Sequence, residues 1–276
     1  MIIQRRSLFI IFVLSLLLQL SAASSYAATI QCDKLPANKT PTTLSVRVKK
    51  TYPHSSSAFS QGLIYHDGHI FESTGQYGQS TVSKIHLKSG KNIKQIELDN
   101  TVFGEGLTAW QDQIIQLTWK SGQVYRYSLA DLALEQTQSI SGEGWGITHN
   151  HQHLITSDGT AQLSYRDPTS LAVQSTIDVT YLGRPLKNLN ELEWVNNCLL
   201  ANIWQSQYIA IIDPVSGQTT ALIDLSRIIA HEQKTGTSEV ANGIAWLADN
   251  QRLLITGKYW QRIYEIELIE RSTAKP

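Results

Sequence analysis

Phe103-Gly104-Glu105-Gly106-Leu107 decides the fold, because its last three residues return, with changes, along the whole chain. The other copies begin at Gln61-Gly62-Leu63, Trp145-Gly146-Ile147, Glu191-Leu192-Glu193 and Asn242-Gly243-Ile244. They lie roughly 40–50 residues apart, the length of one propeller blade. The phrase keeps its small and aliphatic positions while the residue in front changes. Such a repeat is a scaffold that presents different side chains at one place, so a symmetric fold can build an asymmetric site.

Outward from each phrase the copies read as four strands with polar turns between them. In the first copy the strands fall at 62–66, 70–73, 81–87 and 94–98, and in the second at 106–110, 114–119, 123–128 and 136–140. Turns in the next two copies are marked by Asp167-Pro168-Thr169-Ser170 and Asp213-Pro214-Val215-Ser216-Gly217. Pro fixes φ there, Asp bonds back to the backbone, and Gly tolerates positive φ. Only 226–233 has the pattern for a turn or two of helix. The fifth copy ends after its third strand at 262–268, while an unassigned strand with alternating Leu44, Val46 and Val48 occupies 44–52. If that N-terminal strand closes the last blade, no sheet edge is left open. The expected fold is therefore all-β, a five-bladed β-propeller over residues 43–276.

The segment before it has another character. Arg5-Arg6, an apolar run over 7–20 and small residues through Ala27-Ala28 describe a secretory signal peptide over 1–28, followed by a tail over 29–42. The adjacent arginines allow a twin-arginine leader, but the very apolar run favours the general secretory route. The expected product is exported, periplasmic or secreted, without a membrane span. The whole chain balances 23 basic against 23 acidic side chains, and removing Arg5 and Arg6 leaves 21 basic ones, a net charge near −2. That balance argues against nucleic acid or an anionic membrane as partner. Cys32 and Cys198 could pair in an oxidising compartment, but Cys198 also opens an apolar strand and reads as a small buried hydrophobe.

In an antiparallel blade, the start of the first strand and the end of the second share one rim. This brings Phe59, Gln61, Phe103, Glu105, Trp145, Asn190, Glu191 and Asn242 beside Thr74-Gly75, Trp119-Lys120, Asp158-Gly159, Trp204 and Lys258. Singly, each has an ordinary structural reading as packing, a solvated strand end or a turn carboxylate. Together, three tryptophans, two phenylalanines, lysines, amides and glutamates around one axis describe a pocket. Trp110, Trp194 and Trp246 recur at the far end of the first strand and read as packing. His149-x-His151-x-His153 resembles a metal set, but it falls on a hairpin away from the rim, where the alternation should break.

The rim residues carry a resemblance to the plant-type glutaminyl cyclases, the glutaminyl-peptide cyclotransferase family with bacterial members. The matching pieces include Phe59-Ser60-Gln61-Gly62-Leu63, Phe103-Gly104-Glu105-Gly106-Leu107, Leu117-Thr118-Trp119-Lys120, Gly142-Glu143-Gly144-Trp145-Gly146-Ile147, Leu189-Asn190-Glu191-Leu192-Glu193, Asn202-Ile203-Trp204, Asn242-Gly243-Ile244-Ala245 and Gly257-Lys258. They span all five copies in order. The resemblance implies conversion of N-terminal glutamine of peptides and proteins to pyroglutamate with loss of ammonia and without zinc; a monomer that needs no metal and no cofactor is expected. It implies that Glu105 is the acid/base, that Asn190 and Lys258 are polar partners of the reacting amide, and that Phe59, Gln61, Phe103, Trp119, Trp145 and Trp204 form the substrate pocket. The chemistry suits this set. One carboxylate can take the proton of the attacking amine and return one to the leaving nitrogen, and a lysine with an amide can stabilise the oxyanion. Two other classes stay open at this point. One is a metal-dependent propeller lactonase built on Glu105, Glu191, Asn190 and Asn242, and the other is a propeller that only binds a peptide end.

Overall fold

The structure, a computed structural model, describes residues 27–33 and 39–270. Most of the leader read from the sequence lies outside them. The fold is all-β. β1 (Thr42–Pro53) is followed by a four-stranded antiparallel sheet of β2 (Ser60–His66), β3 (His69–Thr74), β4 (Thr81–His86) and β5 (Lys91–Glu97). A second such sheet holds β6 (Gly104–Trp110), β7 (Gln113–Thr118), β8 (Gln123–Ser128) and β9 (Leu134–Ser139). The third holds β10 (Ile147–His149), β11 (Leu154–Thr156), β12 (Gln162–Arg166) and β13 (Val173–Asp178). After a small hairpin, β14 (Thr180–Tyr181) and β15 (Arg184–Pro185), come β16 (Leu189–Val195), β17 (Cys198–Ile203), β18 (Tyr208–Ile212) and β19 (Thr219–Asp224). Helix α1 (Ser226–Glu232) then leads to β20 (Ala241–Leu247), β21 (Arg252–Gly257) and β22 (Arg262–Glu270). The short helix stands where the sequence allowed one. Among the described residues no helix is long and apolar enough to cross a membrane.

The first strands pack on one another in a cycle, β2 on β6, β6 on β10, β10 on β16, β16 on β20 and β20 back on β2. Among the described residues the buried apolar side chains gather in clusters that lie between successive sheets. Phe71 and Ile64 meet Leu107 and Ile114, for example, and Ile155 and Leu163 meet Leu192 and Leu199. This explains the strand compositions. Second strands are covered on both faces and read as apolar runs, as in Ile70-Phe71 and Ile114-Ile115. The outer strands β5, β9 and β13 are exposed and polar, which suits an edge.

β1 takes the place the sequence assigned to it. It pairs antiparallel with β22 from Leu44↔Glu270 to Pro53↔Arg262, completing the last unit with a fourth strand. It does one thing more than expected. Its first residues also pair in parallel with β19, Thr42↔Ala221 to Leu44↔Ile223, so the last two units form one eight-stranded sheet. That is why β19, unlike the other outer strands, is buried and carries Ala221, Leu222 and Ile223.

The described start of the segment read as a tail is tied down. Ile30 is buried in the cluster between the last two units, and Cys32 forms a disulfide with Cys198, Cα to Cα 5.5 Å. Cys198 is also fully buried, so both sequence readings of it describe the same residue. Ala27 bridges Ile269, and the Ala28 N–H donates to Leu268 O at 2.8 Å, so the last residues assigned to the leader run beside β22.

Candidate functional site

In four of its five copies the recurring phrase is a β-bulge. Ser60 faces Thr74 and Gly62 faces Ser73, which leaves Gln61 as the extra residue of β2. The same slip occurs between Gly104 and Leu107, between Leu189 and Leu192, and between Ala241 and Ile244. A bulge turns a side chain out of the regular alternation, and here it turns Gln61, Glu105, Asn190 and Asn242 towards the common axis. The glycine of the phrase is required by close approach. A Cβ on Gly106 would sit 2.7 Å from Trp145 O, and one on Gly146 would sit 2.0 Å from Asn190 O. The bulges of neighbouring units touch backbone to backbone.

This register corrects the reading of the fourth copy. Asn190 takes the position of Glu105, and Glu191 takes that of Gly106. Glu191 therefore does not reach the rim. Its carboxylate reaches across the axis, accepting the Leu63 N–H at 3.3 Å and the Ile244 N–H at 3.0 Å. Burial raises its pKa well above the ordinary value, helped by nearby Glu193. Glu193, which the sequence reading passed over, has its pKa pushed up to about 8 by burial, and it accepts the Trp246 N–H at 2.8 Å. Both carboxylates tie strands together around the axis.

At the rim itself the expected side chains converge. Phe59, Gln61, Phe103, Glu105, Trp119, Trp145, Asn190, Trp204 and Lys258 line one cavity of about 450 Å³, and Gln76 joins them. Each four-stranded unit contributes. Gln76 was not identified from the sequence. It follows Gly75 at the end of β3 in a left-handed conformation (φ 85°) that brings it over the mouth. The walls are aromatic. Phe103 meets Phe59 edge-on at 5.9 Å and Trp119 at 5.6 Å, and Trp145 meets Trp204 at 5.7 Å.

The polar groups on these walls are few and buried. Glu105 is 5 % exposed, Asn190 3 % and Lys258 5 %. The Glu105 pKa is raised well above the ordinary 4.5, chiefly by burial, against the opposing pull of the Lys258 ammonium and of a hydrogen bond from Gln61. Lys258 is lowered by its own burial, with Glu105 opposing. The Lys258 Nζ lies 4.2 Å from the centre of the Phe59 ring, a cation–π contact that fixes its direction. Gln61 is oriented in turn. Its Oε1 accepts from Asn242 Nδ2 at 2.7 Å, which leaves its amide hydrogens for Glu105. Two buried atoms of the cavity have no hydrogen-bond partner, Glu105 Oε2 and Asn190 Oδ1. Unpaired buried oxygens are costly, and in a cavity they mark where a ligand's donors belong.

The opposite mouth of the axis differs. It holds a hollow of about 520 Å³ lined by Tyr65, His149, His151, Glu193, Trp194 and Trp246, among others. Trp194 and Trp246 lie at the far end of their strands as expected, and Trp110 packs edge-on against His149 at 5.3 Å. The histidine alternation breaks at the turn. His151 has φ 68°, and the Asn150 side chain accepts the N–H groups of Gln152 and His153. Among the described residues no group of three or more His, Cys, Asp or Glu is placed to hold a metal.

Comparison with known proteins identifies the family. Residues 15–268 match the family model described as glutamine cyclotransferase. The chain is 40% identical over 231 residues to a glutaminyl-peptide cyclotransferase of Arabidopsis thaliana, covering 82% of this chain and 72% of that protein. The crystal structure of Myxococcus xanthus glutaminyl cyclase superposes with a TM-score of 0.78 at 36% identity, covering 84% of this chain and all of that one. The chain therefore belongs to the glutamine cyclotransferase family.

Proposed function

We propose that this protein is a glutaminyl-peptide cyclotransferase on a five-bladed β-propeller, converting N-terminal glutamine of peptides and proteins to pyroglutamate and ammonia. One observation carries the assignment of roles. Inside an aromatic cavity, next to the only lysine that lines it, Glu105 Oε2 and Asn190 Oδ1 are buried acceptors awaiting donors. The reacting glutamine brings N–H donors at both its α-amine and its γ-amide.

The reaction is then as follows. Glu105, as carboxylate, takes a proton from the substrate's neutral α-amine as that amine's lone pair attacks the γ-carboxamide carbon. A C–N bond forms, and the carbonyl oxygen takes up negative charge, which the Lys258 ammonium stabilises. Glu105 returns a proton to the carboxamide nitrogen, the old C–N bond breaks, and ammonia leaves. Asn190 Oδ1 accepts an N–H of the substrate and fixes which nitrogen faces Glu105. The aromatic walls supply the orientation that a flexible glutamine side chain lacks. No covalent enzyme intermediate is needed.

The donor set disfavours a metal-dependent lactonase. One ammonium faces the single cavity-lining carboxylate, and Glu191 is spent on backbone N–H groups. The direct test is mass spectrometry of a Gln-initiated peptide, with loss of one ammonia expected. Dialysis against a chelator should leave that activity intact, and a loss restored by a single added divalent ion would overturn the metal-free mechanism. A peptide that binds but never loses ammonia would leave only a binding propeller.

Lys258→Met keeps length and apolar bulk but removes the cation. Turnover should fall by ~10²–10³-fold, the usual cost of losing one oxyanion-stabilising group. Because Lys258 pulls the Glu105 pKa down, the acid limb of the rate profile should also move to higher pH. An acid limb that stays in place would show that the two groups do not interact. The disulfide and the leader support an exported enzyme working in an oxidising compartment.

A further inference from the structure

We propose that Glu143 is a positioning residue of cyclisation, its carboxylate holding the indoles of Trp119 and Trp145 at the separation the folded-back glutamine requires. This rests on the cyclase reading of the cavity. Glu143 lies in Gly142-Glu143-Gly144, just before the third unit, where the chain crosses the end of β7 and the Gly144 N–H donates to Trp119 O at 3.1 Å. That crossing puts its side chain between two walls supplied by different units. A single oxygen, Glu143 Oε2, accepts Trp119 Nε1–H at 2.8 Å and Trp145 Nε1–H at 3.0 Å.

An indole N–H is a donor only, and when buried it needs a partner. Sharing one charged acceptor does more than satisfy two donors. It fixes the rotation of both rings about their side-chain torsions and ties two units together at the cavity. The restraint spreads further, since Trp119 lies edge-on to Phe103 and Trp145 edge-on to Trp204. Four wall rings are thus set from one carboxylate that does not itself line the cavity. Glu143 also acts at a distance on the acid/base. The charged groups facing Glu105 are Lys258, which lowers its pKa, and Glu143, which raises it, beside the neutral donor Gln61.

The variants Glu143→Gln, Glu143→Ala and the double variant Trp119→Phe/Trp145→Phe test this. A displacement of about 1 Å can cost ~10²-fold in rate. Glu143→Ala is expected to lose roughly that much kcat/KM, mainly in kcat, and Glu143→Gln about 10-fold. Glu143→Gln removes a negative neighbour, so the acid limb of kcat/KM should move to lower pH, opposite to Lys258→Met. In the Trp119→Phe/Trp145→Phe background the indole donors are gone, so adding Glu143→Gln should cost little more. Glu143→Gln keeps the side chain's length and serves if the alanine variant does not fold. Parental kcat/KM and an unmoved acid limb in Glu143→Gln would overturn the proposal, as would losses that simply add to those of the phenylalanine variant. A parent enzyme that releases no ammonia from a Gln-peptide would instead sink the cyclase reading, which is scored separately.

Discussion

Glu105→Gln is expected to abolish cyclisation, with kcat reduced by about 10⁴-fold or more. A positioned acid/base group typically contributes ~10²–10⁴-fold, and Glu105 is assigned both proton transfers of one turnover. The amide is close in shape, and the Gln61 and Asn242 side chains that orient this position remain. The loss should therefore appear in kcat far more than in peptide affinity, because the aromatic walls and Lys258 are untouched. Circular dichroism should report an unchanged β-fold. Glu191→Gln is the control. Its carboxylate accepts the Leu63 and Ile244 N–H groups, so the variant should lower thermal stability and leave kcat near parental. Normal turnover by Glu105→Gln would overturn the mechanism.

The pH dependence follows from the same carboxyl. In the proposed mechanism the base form of Glu105 is the active one, and burial raises its pKa well above 4.5. The rate should therefore be lost on acidification at a pH clearly above that of an ordinary carboxylate. Raising the pKa brings the group nearer the working pH, where it can both accept and return a proton. On the proposed mechanism the wall of rings around it thus serves the chemistry as well as binding.

The fold was legible because the repeat is carried by backbone necessity. Gly106 and Gly146 recur where strands of neighbouring units touch, and apolar runs recur where second strands are covered on both faces. The cavity was legible for a related reason, since strand ends of an antiparallel unit share a rim wherever the strands fall. What failed was register by a single residue. Leu189-Asn190-Glu191-Leu192-Glu193 offers two alignments, with either Asn190 or Glu191 in the place of Glu105, and only the bulge decides that Asn190 faces the cavity while Glu191 reaches across the axis. Glu143 was quoted within a matching motif but given no role, because its partners belong to two different units and depend on a loop path. The disulfide was left undecided because nothing local says where residue 32 lies. Its position follows from Ile30 entering the cluster between the last two units.

Deleting residues before Pro53 should leave no folded protein at the temperature where the parent is fully native. β1 closes the cyclic array twice, along nearly all of β22 and, through its own first residues, against β19. Without it, both strands become open edges, and the side chains uncovered are not those of an ordinary edge. β5, β9 and β13 show polar residues to solvent, whereas β19 carries Ala221, Leu222 and Ile223, and β22 carries Ile266 and Leu268, all buried. Fully burying one such large aliphatic side chain is worth about 1.5–3 kcal/mol, and native stability is on the order of 5–15 kcal/mol. Exposing several of them, together with the loss of Leu44, Ile30 and the Cys32–Cys198 link, removes most of that margin. The open, apolar edges should then pair between molecules, so aggregation is the expected readout in light scattering alongside an early thermal transition. A truncated chain that melts at the parental temperature as a monomer would show that the cycle of first strands holds without its N-terminal closure.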